Sequence, residues 1–429
     1  MVSRTFWSNL LGSAWEQKTV VWLTGVRGAG KTSLCQTLWD AEFFDCEAPR
    51  VRRLMADPEE FWKKLRGKKV VLDEIHRLPN LLPLLKTAAD RFPSSRVLVT
   101  APVSLQVNPH DRAALEERLA QVWLTPMMSR DLVDFGNTGL EHRFLRGGLP
   151  PFFASPTLPE ADFQEWMDSF WAKDIQDLFR IEQRDSFHQF MELLFARSGE
   201  PFEAVRYADP CGVSRTTITK YLQALEASWA ALVVRPFSTR LAVEIVTIPQ
   251  AYVFDTGFLC YSRGWQRLRE EDLGILWKHW VLNEICAHLQ APQVQYWRDK
   301  RRHEVDFILI NRELGIITIT CLWRARDFTP RGLQAFRNHY PSGPNWVVCR
   351  DATRASVHSL PRLKVEFISR KEMIEKISAG GNGVTRKCAQ ALVHCPAIPR
   401  SRTFPLNPST VAQQPCRHSA FRIPHSAVP

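Results

Sequence analysis

A glycine-rich stretch that ends in a lysine and a threonine lies near the start of the chain, directly after an apolar run. The stretch reads Gly25-Val26-Arg27-Gly28-Ala29-Gly30-Lys31-Thr32, and the run before it reads Val20-Val21-Trp22-Leu23. This spacing is typical of a phosphate-binding loop (P-loop), because glycines allow backbone N–H groups to turn inward around a phosphate chain. A helix-like segment follows from Ser33, and the N-terminus of a helix also attracts anions. The alternative is a glycine-rich turn without a ligand.

The residues of this loop differ in the part that each is expected to play. Lys31 is expected to reach the outer phosphates of a nucleotide, and the hydroxyl group of Thr32 to bind Mg²⁺. The sequence therefore predicts ATP and Mg²⁺ as ligands. The predicted nucleotide-binding residues are Gly25, Gly28, Ala29, Gly30, Lys31, Thr32 and Ser33.

Two acidic residues end a second apolar run further along the chain. The run Lys68-Lys69-Val70-Val71-Leu72 is followed by Asp73 and Glu74. It is typical of a buried parallel strand, and ligands of α/β sheets bind at the carboxyl ends of such strands. We therefore expect Asp73 to ligate Mg²⁺ and Glu74 to polarise the attacking water, with Lys31 as a further catalytic residue. Taken alone, an ordinary strand before a charged turn explains the run equally well.

The composition is that of a soluble globular protein with more than one domain. The chain has 429 residues, of which 45% are hydrophobic and 24% are charged. It contains no run of about 18 apolar residues, and its N-terminus has no signal-peptide pattern. We therefore expect a cytoplasmic protein without a membrane segment. The ten cysteines are scattered, without a C-x-x-C pair or a Cys/His cluster, which indicates reduced thiols.

The net charge of +11 is unevenly distributed. Residues 380–429 carry six Arg or Lys residues and no Asp or Glu, so more than half of the excess lies there. Seven of the 28 prolines also fall in this segment, which predicts a disordered basic tail. The remainder of the chain is only mildly basic, and its charge alone is weak support for nucleic-acid binding.

Strand-like and helix-like stretches alternate in the first third of the chain. After the P-loop come the Asp73 strand, a helix around residues 81–89, a strand at 96–100 and a further strand at 121–124. Such alternation predicts a parallel sheet with right-handed crossovers. The predicted fold class is thus α/β, with a P-loop NTPase domain at residues 1–135.

Several motifs in order resemble a known family. The stretch from Asp73 to Pro83, the stretch from Phe144 to Pro150 and the stretch from Phe254 to Gly257 look like those of a widespread prokaryotic family of AAA-type ATPases, members of the AAA+ superfamily. Those proteins carry a C-terminal domain of uncharacterised function. The resemblance covers about residues 1–370 and implies Mg²⁺-dependent ATP hydrolysis.

The same resemblance identifies two further positions. Family members carry Thr-Gly-Ser after the fourth strand, where the Ser senses the terminal phosphate, but this chain has Thr100-Ala101-Pro102. Because proline has no N–H to donate, sensing would fall to Thr100 or Ser104. Arg118 matches a family arginine that is expected to stabilise transition-state charge, in cis or from a neighbouring subunit. A solvated helix charge explains Arg118 equally well.

Residues 136–273 are predicted to form a helical linker and a winged-helix-like module. A turn at Gly212, an N-cap at Ser214 and an apolar stripe from Ile218 to Leu225 are typical of a helix-turn-helix recognition helix. The residues expected to point outward, and therefore the candidate DNA contacts, are Arg215, Thr216, Thr217 and Lys220. A structural hinge remains the alternative.

Residues 274–379 resemble the PD-(D/E)xK nuclease core that is often attached to these ATPases. Glu284 and Asp306 fit the first two acidic positions of that site. The expected Glu-x-Lys falls on Thr318-Ile319-Thr320, which has neither an acid nor an ammonium group. Because such a site needs acids for Mg²⁺ and a lysine to orient water, we expect the α/β nuclease-like fold without the nuclease activity.

Two functions from different classes follow from these observations. The first is an AAA+ ATPase. Its candidate partners are DNA, another protein or further copies of the chain. The second is a nucleotide-dependent binding or scaffold protein with little turnover, since Pro102 replaces the usual sensor and the nuclease motif is broken. Separate measurements of ATP binding and ATP turnover distinguish them.

Overall fold

The structure is a computed structural model of the whole chain. It describes residues 2–38, 40–103, 115, 117–157, 160–238, 248–290, 294–361 and 363–379. The predicted basic tail, residues 380–429, lies outside the described residues, as does Ser104. Within the described part, no helix is both long and apolar enough to span a membrane.

A parallel sheet of five strands forms the first layer of the described structure. Its spatial order is β2-β3-β4-β1-β5, with neighbours paired in parallel throughout. Both faces of each central strand are covered by apolar side chains, as the continuous hydrophobic runs in the sequence require. The strands are β1 (Val20–Thr24), β2 (Ala41–Asp45), β3 (Lys69–Asp73), β4 (Arg96–Ala101) and β5 (Leu119–Trp123).

The order of these strands places the two predicted nucleotide-binding stretches at one edge of the sheet. β4 lies between β1 and β3, and Leu98 is the partner of both Val21 and Val71. The segments after β1 and after β3 therefore leave the sheet at the same carboxyl edge. From β1 the chain continues to β2, β3 and β4 on one side of β1, and then to β5 on the other side. The P-loop, which follows β1, therefore lies where the strand order reverses, and this is the usual place of a ligand site in an α/β sheet.

Short helices surround this sheet. The helix before β1 packs three of its apolar side chains, Trp7, Leu11 and Trp15, into the core. The N-terminal helices are Thr5–Gln17, Lys31–Gln36, Pro49–Leu54, Pro58–Lys64 and Leu81–Arg91, with a 3₁₀ turn at Ile75–Arg77. Together with the five strands they form the P-loop NTPase fold that the sequence predicts.

A helical region follows β5. It includes a π-helical turn, Trp171–Ile175, between two α-helices. Three of its later helices precede an antiparallel strand pair. The α-helices are Ser129–Asp134, Leu140–Arg146, Pro150–Ala154, Glu160–Phe170, Gln176–Phe179, Arg184–Ala196, Val205–Ala208, Arg215–Ala227 and Thr256–Ser262.

A second, mixed sheet forms the C-terminal part. Its order within the described residues is β12-β13-β11-β10-β9-β8-β6-β7. The strands are β6 (Ala231–Pro236), β7 (Gln250–Val253), β8 (Gln295–Arg298), β9 (Glu304–Asn311), β10 (Gly315–Leu322), β11 (Asn345–Cys349), β12 (Ser356–Leu360) and β13 (Leu363–Ile368). The helices here are Glu270–Leu289, Arg331–His339 and Arg370–Ala379, with a 3₁₀ turn at Ala325–Asp327. The strand pair β6 and β7 joins this sheet through β8, so the predicted boundary at residue 273 falls between elements that share one sheet.

One apolar core connects the two sheets through the helical region. Val21 and Leu23 of β1 belong to the same cluster of buried side chains as Phe254 and Ile319. The alternate β1 residues, Val20 and Trp22, face a separate core on the other side of the first sheet. Met1–Thr385 accordingly forms one compact unit.

Candidate nucleotide-binding site

The P-loop has the backbone conformation that its glycines permit. Gly28 and Gly30 have φ angles of 80° and 96°, in the left-handed region that other residues rarely adopt. A Cβ atom on Gly25 would lie 2.3 Å from the carbonyl oxygen of Leu124, so no larger residue fits there. The helix Lys31–Gln36 starts directly after the loop and directs its N-terminus at the same place.

The lysine of the loop is buried and turned back on the loop itself. Its Nζ donates hydrogen bonds to the carbonyl oxygens of Gly25, at 2.7 Å, and Val26, at 3.2 Å. Burial lowers the pKa of Lys31, although the nearby carboxylates of Glu74 and Asp174 oppose that effect. The ammonium group thus lies at the loop, where its hydrogen-bond partners among the described residues are carbonyl oxygens that an anionic ligand can replace.

The predicted metal ligands lie side by side. The hydroxyl group of Thr32 donates a hydrogen bond of 2.8 Å to Oδ2 of Asp73. Thr100 donates to the other carboxylate oxygen of Asp73 and accepts a bond of 2.9 Å from the backbone N–H of Glu74. Thr100, one of the two sensor candidates, therefore joins both acidic residues of the site, and the other candidate, Ser104, lies outside the described residues.

Glu74 is held in an unusual conformation next to a buried histidine. Its φ angle is 54°, a left-handed value that costs free energy in a residue other than glycine. Nδ1 of His76 lies 3.2 Å from Oε2 of Glu74, yet within the described residues neither atom makes a hydrogen bond. Burial raises the pKa of Glu74 and lowers that of His76 to about 4, so His76 is neutral near pH 7. A buried polar atom without a partner indicates that a ligand or water normally supplies one.

These residues fit a nucleotide together with Mg²⁺. Magnesium that binds with a nucleotide takes one or two protein oxygens and completes its shell with phosphate and water. Thr32 and Asp73 offer those oxygens, and Lys31 and the loop amides offer the phosphate contacts. The described residues contain no cluster of three or more His, Cys, Asp or Glu side chains that could hold a metal ion without such help.

Several side chains that the sequence did not predict hold the P-loop from outside. Nη1 of Arg4 donates a 2.7 Å hydrogen bond to the carbonyl oxygen of Ala29, and its guanidinium forms a buried ion pair with Asp131. Nε1 of Trp166 donates to the carbonyl oxygen of Arg27 at 3.0 Å. Arg27 also forms an ion pair with Asp174. The sequence shows that Arg27 lies in the loop, but no local sequence pattern predicts its contact with an acid 147 positions away.

Arg118 lies at the opposite end of the sheet. It directly precedes β5, whose first residue, Leu119, pairs with Val20 at the start of β1. Its guanidinium forms an ion pair with Asp90 at 3.0 Å. The P-loop begins at Gly25, beyond the whole of β1 and roughly 16 Å from Val20 at about 3.3 Å per residue. The expectation of an arginine acting in cis does not agree with this position, because a strand separates the residue from the site.

The candidate DNA contacts lie on the helix Arg215–Ala227. Arg215, Thr216 and Lys220 are exposed, as the sequence predicts. Thr217 is only partly exposed, and both its N–H and its hydroxyl group bond to the N-cap residue Ser214, at 3.1 and 3.0 Å. Thr217 is thus a partner of the helix N-cap, and fewer of the candidate DNA contacts are exposed than the sequence predicts.

Glu284 and Asp306, the two acids predicted for a nuclease-like site, have different partners. Glu284 is buried, where it accepts hydrogen bonds from the N–H of Ser129 at 2.9 Å and from Arg370 at 2.7 Å. Asp306 forms an ion pair with Lys278 and accepts from the N–H of Cys321 at 2.8 Å. Each acid therefore has its own cation.

Two motifs of the family resemblance pack against each other. The carboxylate of Asp255 accepts a 2.6 Å hydrogen bond from the N–H of Gly148 and lies 3.2 Å from Nη1 of Arg143. A Cβ atom on Gly147 would lie 2.0 Å from Oδ1 of the same carboxylate. These motifs therefore join the segment after the first sheet to the helix Thr256–Ser262. The first motif also reaches the P-loop, since a Cβ atom on Gly28 would lie 3.3 Å from Cδ1 of Leu149.

Comparison with known families agrees with the first sheet and its site. Residues 17–133 match the model of the AAA domain. Residues 137–269 and 273–365 match two domains of unknown function, DUF8612 and DUF4143. The chain therefore carries an AAA-type P-loop ATPase domain followed by regions whose families have no assigned function.

Two mycobacterial proteins are similar to about two thirds of the chain. Proteins described as uncharacterized from Mycobacterium tuberculosis and Mycobacterium bovis are each 29% identical over 308 residues, 69% of this chain and 68% of theirs. Among solved structures, a Walker-type ATPase of Pyrococcus abyssi is 14% identical and covers 61% of this chain and 96% of its own, with a TM-score of 0.42. That likeness is too low to carry an argument about function.

Proposed function

We propose that this protein binds ATP with Mg²⁺ and hydrolyses it to ADP and phosphate. One observation carries the proposal, and it concerns the described residues at one edge of the parallel sheet. There Lys31 is held by loop carbonyls, Thr32 adjoins Asp73, and Oε2 of Glu74 is buried without a hydrogen bond from any described residue. Phosphate, metal and water are the ligands that such a set of groups requires.

Binding and charge neutralisation come from the chain's own groups. The backbone N–H groups of the loop surround the phosphates, and Lys31 exchanges its carbonyl partners for the outer phosphate oxygens. Thr32 and Asp73 hold Mg²⁺, which when bound offsets part of the negative charge on the phosphates. The positive end of the helix Lys31–Gln36 acts on the same charge.

Glu74 is the residue that activates water. Its carboxylate accepts a proton from a water molecule as the water oxygen bonds to the terminal phosphorus and the bond from that phosphorus to the bridging oxygen breaks. The leaving group is ADP, and the proton on Glu74 returns to solvent or phosphate. Burial, which raises the pKa of Glu74, makes the carboxylate a better proton acceptor than an exposed one. Thr100, bonded to Asp73 and to the Glu74 backbone, is the group that senses the terminal phosphate.

The test is to measure binding and turnover separately on the full chain. Hydrolysis that requires Mg²⁺ supports the ATPase. Tight ATP binding without turnover favours the nucleotide-dependent scaffold, and the absence of binding refutes both.

A second proposal concerns the regions after residue 136. The helix Arg215–Ala227, with its exposed Arg215 and Lys220 and the strand pair after it, supports a winged-helix module that contacts DNA phosphates. Arg118, partly exposed directly before β5, supports a finger acting in trans on a neighbouring copy. Residues 274–379 are a nuclease-like domain without nuclease activity, because Glu284 and Asp306 are each neutralised by a cation.

A further inference from the structure

Arg27, inside the P-loop, forms a two-point ion pair with an acid from the helical region. Its Nε lies 2.6 Å from Oδ2 of Asp174, and its Nη2 lies 3.0 Å from Oδ1. The Asp174 side chain is completely buried, whereas Arg27 retains 24% of its exposure. Because a buried charge is stable only with a partner, this pair fixes the position of the guanidinium.

The helical segment that contains Asp174 contacts Arg27 at two places. Asp174 lies in the π-helical turn Trp171–Ile175, a rare element that is frequent at functional sites. Trp166, on the helix before that turn, donates its indole N–H to the backbone carbonyl of Arg27. Both the side chain and the backbone of Arg27 therefore depend on one helical segment, residues 160–179.

The charge of Arg27 lies close to the catalytic groups. Burial lowers the pKa of Arg27, but the hydrogen bond and charge of Asp174 outweigh burial and raise it, with smaller contributions from Glu74. Arg27 in turn acts on the pKa values of Lys31 and Glu74. A permanent cation thus adjoins the residues that meet the terminal phosphate, whereas Arg118 lies at the other edge of the sheet.

The ion pair leaves part of the guanidinium available. Arginine has five N–H donors, and the pair with Asp174 uses one on Nε and one on Nη2. Within the described residues, Nη1 makes no hydrogen bond of its own. An arginine oriented by a carboxylate on one side can bind a phosphate oxygen with its remaining donors.

We propose that Arg27 contacts the terminal phosphate of a bound nucleoside triphosphate and that Asp174 is the positioning residue that aims it. This inference rests on the proposed function and adds the arginine that Arg118 cannot supply in cis. It also makes the helical segment 160–179 the part of the chain that distinguishes a triphosphate from a diphosphate.

The experiment compares ADP with a non-hydrolysable ATP analogue, each with Mg²⁺, on the full chain. Arg27→Ala should weaken binding of the analogue by about tenfold or more, because a hydrogen bond to a charged group is lost, and should change ADP binding by less than about twofold. Arg27→Lys should recover part of the loss. Asp174→Asn should also reduce the preference for the analogue over ADP, but by less than Arg27→Ala does. In this variant the guanidinium is still present, but the carboxylate that orients it is lost.

Arg77→Ala is the matched control. Arg77 pairs with Asp177, the next acid on the same segment, at 2.8 Å, but lies outside the P-loop. It should leave the preference between the two nucleotides unchanged. ADP binding by each variant also shows that the variant is folded.

The outcomes separate this inference from the function on which it rests. Wild-type protein that binds neither nucleotide refutes the proposed function itself. The inference alone is overturned if the wild-type protein binds nucleotide and Arg27→Ala leaves the preference between ADP and the analogue unchanged, whether both affinities fall equally or neither falls. Arg27 then only supports the loop. If Asp174→Asn and Arg77→Ala behave alike, Asp174 has no positioning role.

Discussion

Two parts of the molecule carry acidic and basic side chains but differ in whether those side chains are paired with each other. The first is the carboxyl edge of the first sheet, and the second region is residues 274–379. Among the described residues at the first sheet, Lys31 bonds to carbonyl oxygens and Glu74 keeps a buried oxygen without a hydrogen-bond partner. In the second region, Asp306 is paired with Lys278 and Glu284 with Arg370. Charged groups that the protein leaves unsatisfied are available to a ligand, whereas groups that satisfy each other stabilise the fold.

This difference also explains why sequence motifs alone overstate the number of sites. Glu284 matches a metal-ligand position, yet it caps the start of the helix Ser129–Asp134 through the N–H of Ser129 and binds Arg370. Removing it would leave the partly buried Arg370 without this partner and the N–H of Ser129 without an acceptor. The comparison predicts that substitutions in the first region change nucleotide chemistry, and that substitutions in the second change stability.

The largest effect is expected from Lys31→Ala. The substitution removes the ammonium group that meets the outer phosphates, so nucleotide affinity should fall by about 100-fold and turnover should fall with it. Titration with a fluorescent ATP analogue and a phosphate-release assay measure the two effects. Lys64→Ala, at an exposed lysine that pairs only with Glu60, is the control. A Lys31→Ala variant that hydrolyses ATP like the parent would show that the site has been misassigned.

Glu74→Gln should separate binding from chemistry. The amide keeps the size of the side chain but cannot accept the proton from water, so turnover should drop by about 100-fold while ATP still binds. The comparison would be with Glu42→Gln, an exposed acid of β2 paired with Lys68. Unchanged turnover would place the base elsewhere, and lost binding would make Glu74 part of the metal shell.

Asp306→Asn tests the other half of the comparison. Lys278 would then retain only Glu304, at 3.4 Å, so the free energy of unfolding should fall by about 1–3 kcal/mol while ATP turnover stays the same. Chemical denaturation measures the change. The double variant Lys278→Met and Asp306→Leu should recover part of the loss, because an apolar pair contains no buried charge. Recovery is incomplete because the N–H of Cys321 loses its acceptor. Asp327→Asn, at an exposed acid, should have little effect. A metal-dependent nuclease activity that Asp306→Asn abolishes would contradict the structural role.

The smallest effect concerns DNA. Replacing both Arg215 and Lys220 with Ala should weaken binding similarly for unrelated sequences and flatten the slope of log K against log salt by about 0.9 for each lost contact. The measurement needs a chain that ends at Thr385, since the six cations beyond it can bind any polyanion. If that chain does not bind DNA, or binds it equally well after both changes, the helix Arg215–Ala227 is a packing element.

The sequence determined those parts of the protein whose signals are local. The glycine spacing, Lys31 and Thr32, and the apolar run before Asp73 predicted a parallel α/β sheet, and the first sheet confirms it. The N-cap at Ser214 and the apolar stripe after it likewise predicted the helix Arg215–Ala227. Such features depend on backbone conformation and hydrophobic period, both of which a short stretch specifies by itself.

Only the tertiary structure decided which distant charges meet. Asp174 reaches Arg27 across 147 positions and Glu284 reaches Ser129 across 155, while Arg118 is separated from the P-loop by the length of a strand. Nothing in a residue's type shows whether its charge is satisfied. That depends on which side chains the packing of helices and sheets brings within a few ångströms, and electrostatic pairing in a buried environment acts over just that distance.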